Sequence, residues 1–179
     1  MNGAGQKTAF GMHNMLKGKT VSESAVQDHV YRVFPNDLNS NHTVFGGLVM
    51  SILDRICSVV SERHTGRICV TASVDSMHFL GPAKHGDILV FMASVNRTWR
   101  TSLEVGAKVM AENAHTREKK HIVSAYFTFV ALGDNQRPVE IPAIIPETLA
   151  EQKRFEEANF RRERRRIEMA EREVRHLSL

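Results

Sequence analysis

The run from Phe45 to His64 constrains this chain more than any other stretch. It opens on Gly46-Gly47, and apolar residues then recur so closely that they surround most of a helical barrel. A helix apolar on nearly every side belongs inside a domain. Ser51, Asp54, Arg55 and Ser58 interrupt it at spacings of three, four and seven, which gathers them into one polar stripe. An ionisable group on such a helix is costly unless it is paired, hydrated or put to use. Two readings of Asp54 follow. It forms a structural ion pair with Arg55 or a basic residue elsewhere, or it is an acid/base group whose pKa is tuned by its surroundings.

A chain of 179 residues accommodates one domain with a proper core. A hydrophobic fraction of 42% and a charged fraction of 25% are those of a soluble globular protein. No stretch is apolar for long enough to span a bilayer, and the first residues lead into no signal-peptide core. An intracellular, cytoplasmic setting without membrane insertion is therefore expected. Cys57 and Cys69, without metal-ligand spacing, read as free, reduced core thiols. None of the nine histidines falls at the spacing that sets two ligands on one helical face, so no metal is expected. His64, His78 and His85 read as core or surface residues without a chemical role.

Along the chain, residues 1–22 show no sustained period and read as a flexible arm. Residues 26–34 read as a first strand, ended by Pro35-Asn36-Asp37. Asn36, Asn39 and Asn41 suit side-chain-to-backbone turns in the loop that follows. After the helix, Thr65-Gly66 is a stop. Four β-branched and aromatic segments then read as antiparallel strands: 68–74 with 77–79, 87–95, 101–110 and 121–131. From Pro146 onward the period becomes helical, with a thin apolar seam of Thr148, Phe155, Ala158, Ile167 and Met169 among charges. The expected organisation is an arm over 1–22, one α+β domain over 23–146 and a charged surface helix over 147–179. In that domain a strongly twisted antiparallel sheet wraps one long central helix.

Several blocks resemble the acyl-CoA thioesterases of the hot-dog fold, the cytosolic acyl-CoA hydrolase group. They are Asn39-Ser40-Asn41-His42-Thr43-Val44-Phe45-Gly46-Gly47 with Asp54, Val70 to Asp75, Arg100 to Val105, Ala125 to Leu132, and Glu157-Ala158 with Arg161-Arg162. They run in order from about residue 25 to 166, which is far more specific than any block alone. The resemblance implies hydrolysis of acyl-CoA to free acid and CoA, with no metal and no cofactor beyond the CoA of the substrate. It implies a homodimer with active sites at the subunit junction, often assembled into a trimer of dimers. By position, Asp54 matches the family's helix carboxylate, and Asn39 the loop asparagine reaching in from the other subunit. Ala72, Ser73, Val74, Arg100, Thr101, Ser102, Leu103 and Arg162 match CoA-binding positions. His42 stands where family loops often carry glycine.

Thioester hydrolysis fits these residue types on chemical grounds as well. The helix start at Gly46-Gly47 offers unpaired N–H groups and the positive end of the helix dipole to a carbonyl oxygen gaining charge, and glycine permits close approach. Asp54 lies seven residues beyond Gly47, roughly 10 Å along the axis, which suggests that Gly47 serves the partner's Asp54. Asp54 then acts as general base on a water or as nucleophile. Arg100 stands beside Trp99 and reads either as a guanidinium stacked on the indole or as a phosphate contact. The tail arginines Arg161, Arg162 and Arg164 to Arg166 are expected near the nucleotide end of the ligand, since arginine forks suit phosphates.

Two other classes remain open. A non-catalytic acyl-CoA sensor would bind the same ligand and leave it intact. A nucleic-acid binder is suggested by a pI near 9.3 and the Arg164-Arg165-Arg166 run. Against it, glutamates almost balance the tail and no aromatic platform accompanies it.

Overall fold

The computed structural model describes residues 17–176, so most of the arm expected over 1–22 lies outside the described residues. Seven strands and two α-helices follow: β1 (Lys19–Thr20), β2 (Val26–Arg32), α1 (Gly46–Thr65), β3 (Ile68–Phe79), β4 (Ile88–Thr98), β5 (Ser102–Glu112), β6 (Lys119–Leu132), β7 (Ile144–Ile145) and α2 (Leu149–His176). β1 and β7, two residues each, form a small parallel pair that periodicity is too short to reveal.

The five long strands make one antiparallel sheet in the order β2-β4-β5-β6-β3. Thus β2 and β3, the strands flanking α1 in sequence, sit at opposite edges. Four strand spacings separate them by roughly 19 Å, and a twenty-residue helix is about 30 Å long. α1 is the crossing element, and it lies on the sheet face that carries the core. Leu89, Phe91, Leu103, Val105, Phe127 and Phe129 point to that face and are almost wholly buried. Each such side chain contributes about 1.5–3 kcal/mol relative to exposure.

The expectation that α1 is buried nearly all round needs correction. Val49, Leu53, Ile56, Cys57, Val60 and His64 are buried at spacings of three and four, while Met50, Ser51, Arg55, Val59 and Glu62 are exposed. A single sheet covers only one side of a helix. The other side, polar stripe included, stays open in the single chain.

β3 is one strand where the sequence suggested two pieces. Its ladder to β6 shifts register between Thr71 and Ser73 and again between Val74 and Ser76. The first bulge switches faces. Cys69 and Thr71 look toward α1, whereas the side chain of Ser73 bonds Asp75, which belongs to the opposite face.

On that outer face lies α2. A capping box starts it: Glu151 Oε2 accepts N–H bonds from Glu147 and Thr148 at 2.8 and 3.0 Å, and Thr148 Oγ1 accepts from Glu151 N at 3.2 Å. The expected apolar seam is shorter than its pattern, because Ile167 and Met169 are exposed and only Phe155 and Ala158 are covered. Charge does the rest. Arg161 grips the wholly buried Glu104 with two bonds of 3.0 and 2.7 Å and lies 3.8 Å over the Tyr126 ring. Arg165 bonds both Asp75 and Thr128, and Arg97 stacks on Phe155.

At the far end of α1, His64 is fully buried, with Nε2 3.0 Å from the Pro142 carbonyl and Nδ1 unpartnered. Burial holds its pKa below the usual imidazole value, against a raising contribution from the Pro142 bond. A depressed histidine pKa means that the unfolded chain takes up the proton first. The stability His64 contributes is therefore complete above about pH 6.5 and is lost as pH falls from there toward the folded value. Chemical denaturation at a series of pH values should give a stability that declines as pH falls below about 6.5, and a shallower slope in His64→Gln.

Arg161→Ala should cost about 3–5 kcal/mol, because it strands a buried carboxylate. Arg164→Ala, which removes a solvent-exposed pair with Glu168, should cost under about 1 kcal/mol. Equal midpoints for the two variants in urea would refute the anchoring role of Arg161.

Candidate functional site

The loop before α1 is organised by Asn39. Its Oδ1 accepts N–H bonds from Asn41 at 2.9 Å and Thr43 at 3.3 Å, and its Nδ2 lies 3.0 Å from Thr43 Oγ1. This is the side-chain turn that asparagine forms readily. The backbone closes the same loop through Asn39 N to Thr43 O at 2.8 Å. His42 sits in the left-handed region at φ 56°, which accounts for the glycine often found there in the resembled family.

α1 begins without a side-chain cap. Its N-cap residue is Phe45, which can accept no N–H bond through its side chain. Leu48 N donates to Phe45 O at 3.1 Å, whereas the N–H groups of Gly46 and Gly47 take no partner among the described residues. The result is an anion-seeking helix end with its donors unspent. Two exposed aromatic rings flank it. A Cβ on Gly47 would come 2.4 Å from Cε1 of Phe45, and one on Gly46 would come 3.3 Å from Cζ of Phe79. Both rings lie close over the glycine backbone, and each is exposed and free to turn.

Two turns further on, Asp54 is half-buried, and Thr71 Oγ1 donates to its Oδ1 at 2.8 Å. The ion-pair reading with Arg55 is not met: Asp54 has no salt bridge among the described residues, and adjacent helix positions point apart. Thr71 is the residue that sequence reasoning passed over, although it lies inside a quoted block. Its signal was modest, a hydroxyl two positions after a buried Cys69 on the same strand face.

The positions matched to CoA binding divide. Ala72 and Val74 are exposed on β3 and Ser73 is half-buried there. Arg100 and Thr101 form the tight β4–β5 turn, closed by Trp99 N to Ser102 O at 2.7 Å. Ladder register brings these segments together, since Ser73 pairs with Thr128 and Thr128 with Glu104. Strand alternation turns the Leu103 side chain into the core, where it is wholly buried. Stacking on Trp99 comes from Arg162, at 4.5 Å from the ring, and not from Arg100, which is exposed and 4.0 Å from Glu140. Burial, and then the neighbouring Arg166, Arg165 and Arg97, hold the Arg162 guanidinium below its usual pKa.

The tail arginines, expected near the nucleotide end of the ligand, are largely engaged within the chain. Arg161 and Arg165 are spent on Glu104 and Asp75, while Arg164 and Arg166 pair along the helix. Among the described residues no group of three or more His, Cys, Asp or Glu side chains is arranged to hold a metal. Nor is any described helix long and apolar enough to cross a membrane.

Comparison with known proteins bears on this arrangement. A family model described as the thioesterase superfamily matches residues 41–117. The Bacillus subtilis acyl-CoA thioester hydrolase YkhA, described as uncharacterized, is 39% identical over 143 residues, 78% of this chain and 83% of that protein. The cytosolic acyl coenzyme A thioester hydrolase of Rattus norvegicus is 31% identical over 134 residues, 74% of this chain but 35% of the longer rat protein. Among solved structures, the Staphylococcus aureus acyl-CoA hydrolase in complex with butyryl coenzyme A, coenzyme A and coenzyme A disulfide superposes with a TM-score of 0.81 at 35% identity. That match covers 90% of this chain and 99% of the other. The Bacillus cereus acyl-CoA hydrolase gives 0.84 at 39%, covering 91% and 99%. With its helix-wrapped sheet and these relatives, the chain belongs to the hot-dog-fold thioesterase superfamily, among its acyl-CoA thioester hydrolases.

Proposed function

We propose that Asp54 drives hydrolysis of acyl-CoA thioesters to free acid and CoA, at a site completed by a second copy of the chain. The observation that carries this reading is the half-buried Asp54 carboxylate, held by Thr71 at 2.8 Å and answered by no cation among the described residues. Thr71 occupies Oδ1 and orients the group, leaving Oδ2 directed to chemistry. As general base, Asp54 takes a proton from water while the water oxygen attacks the thioester carbon. As nucleophile, it forms a mixed anhydride that water then cleaves. In either route the carbonyl oxygen gathers charge against the unspent N–H groups of Gly46 and Gly47 of the partner copy. The bond to sulfur then breaks, and the thiolate of CoA leaves with little need of a proton. No metal and no cofactor beyond the CoA of the substrate enters the reaction.

The shared site is supported by three features. Gly47 and Asp54 of one chain lie roughly 10 Å apart along α1. β3 is a twelve-residue edge strand with Ile68, Val70, Val74 and Phe79 between 43 and 62% exposed, a template for pairing with another copy. The solved relatives include a hexameric acyl-CoA thioesterase, consistent with a trimer of dimers here. S. aureus acyl-CoA hydrolase has been solved as variants with an aspartate, a threonine and an asparagine each changed to alanine. Asp54, Thr71 and Asn39 are the same three residue types. The CoA moiety is assigned to Ala72, Ser73 and Val74, the Arg100-Thr101-Ser102 turn with the Leu103 backbone, and Arg162. Action in the cytoplasm follows the rat relative's printed description.

Release of CoA thiol from acyl-CoA tests the reading directly. Asp54→Ala should lower kcat about 10²–10⁴-fold with the melting temperature held; a variant retaining a tenth of wild-type turnover would remove Asp54 from the chemistry. Mixing Asn39→Ala with Asp54→Ala subunits should restore about a quarter of wild-type activity after exchange, because half the pairs are mixed and each mixed pair holds one intact site. No recovery after verified exchange excludes a shared site. Arg162→Met should raise KM for acyl-CoA several-fold at unchanged kcat, and leave turnover of a short thioester lacking the nucleotide untouched.

A further inference from the structure

The sheet face opposite α1 carries a groove of about 410 Å³ between the Val21–Gln27 segment and the first turns of α2. Its lining includes none of Asn39, Gly47, Asp54 and Thr71. Three of its features have no structural explanation within the chain.

The first is Asn96, a groove-lining residue only 3% exposed. Its Nδ2 donates to Glu104 at 2.9 Å, yet its buried Oδ1 has no hydrogen-bond partner. The amide lies over Gly106, where a Cβ would come 2.5 Å from Nδ2 and 3.0 Å from Oδ1. Glycine at 106 thus keeps room for the amide on the groove side of the sheet. A buried acceptor without a donor is the kind of group that a bound molecule satisfies.

The second is charge. Lys108 and Arg154 line the groove, and neither holds a salt bridge among the described residues, although Arg161 and Arg165 further along α2 are both paired. Arg154 interacts with Glu151 only at longer range. Glu151, the lining carboxylate, is already engaged by the N–H groups of Glu147 and Thr148. The third is an apolar floor formed by Met92 and the Tyr126 ring.

We propose that this groove binds an amphipathic organic anion that carries one O–H or N–H donor. Its carboxylate or phosphate head lies between Lys108 and Arg154, its body covers Met92 and Tyr126, and its donor meets Asn96 Oδ1. The bound molecule bridges β5 and α2, so binding stabilises the docking of α2 on the sheet.

A matched pair of probes tests this, 3-hydroxyoctanoate and octanoate, which differ by the one hydroxyl assigned to Asn96. Both are titrated calorimetrically, below their micellar concentrations, into the full-length protein and into the double variant Lys108→Met with Arg154→Met. The groove requires about one 3-hydroxyoctanoate per chain, bound at least about tenfold more tightly than octanoate, the gain expected from satisfying a buried acceptor. It also requires at least a tenfold loss of affinity in the double variant. Thioester turnover in that variant, which keeps Asp54 and Thr71, reports that the fold is intact. An acid seated near Asp54 as a reaction product would bind the double variant as well as the wild type, and that outcome overturns the proposal. Equal affinity for the two acids overturns it too. Octyl phosphate distinguishes the heads: tighter binding than octanoate, lost in the double variant, identifies phosphate, and the reverse order identifies carboxylate.

Discussion

Everything in this structure depends on one face of α1 lying across the sheet. Leu53, Cys57 and Val60 are wholly buried on the helix, and Phe91, Phe127 and Phe129 are almost wholly buried on the strands, within one hydrophobic cluster. Because β2 and β3 occupy opposite edges, the helix must cross the sheet to join them, and its length is set by that span. The same crossing carries Asp54 away from the helix start and toward β3. Packing and the geometry of the candidate site therefore have a common cause.

The two faces of the sheet are held by different physics. The inner face is apolar and close-packed, and its contribution scales with area removed from water. The outer face fixes α2 by charge, through Glu104 with Arg161, Asp75 with Arg165, and guanidinium groups laid on Tyr126, Phe155 and Trp99. Buried ion pairs return little net stability over an apolar alternative, but they penalise every arrangement that leaves one partner alone. They fix where α2 sits more than how tightly the fold holds. Arginines so committed have few donors left over, which leaves Arg162 and Arg100 as the cations nearest the β4–β5 turn.

The start of α1 forgoes a stabilising side-chain cap. An Asn, Asp, Ser or Thr at the N-cap typically stabilises a helix by about 1 kcal/mol over a residue that cannot cap. Phe45 forgoes that, and the N–H groups of Gly46 and Gly47 stay unspent beside two exposed rings. The open side of α1 and the long apolar edge of β3 lack a covering layer within one chain. In the proposed mechanism a second copy supplies that layer and brings the helix start to Asp54.

By itself the sequence determined the long elements and their order, though not the short β1–β7 pair or the unbroken β3. The glycine pair, the apolar period of α1, the β-branched strands and the helical period of the tail are local patterns that can be read without tertiary contacts. Asp54 stood out because a carboxylate interrupts an apolar helix, and Asn39 because it matches the loop asparagine of the resembled family. What tertiary structure decided was which side of α1 is covered, which partner holds Asp54 and which arginines are spent. Thr71 reaches Asp54 across 17 residues, and Arg161 reaches Glu104 across 57. A one-residue bulge before Ser73 turns one part of β3 toward α1 and the next toward α2. Alternation along a strand is a period of two, so a single extra residue inverts every later assignment, and where such a residue falls is fixed by pairing with β6 and not by the local pattern.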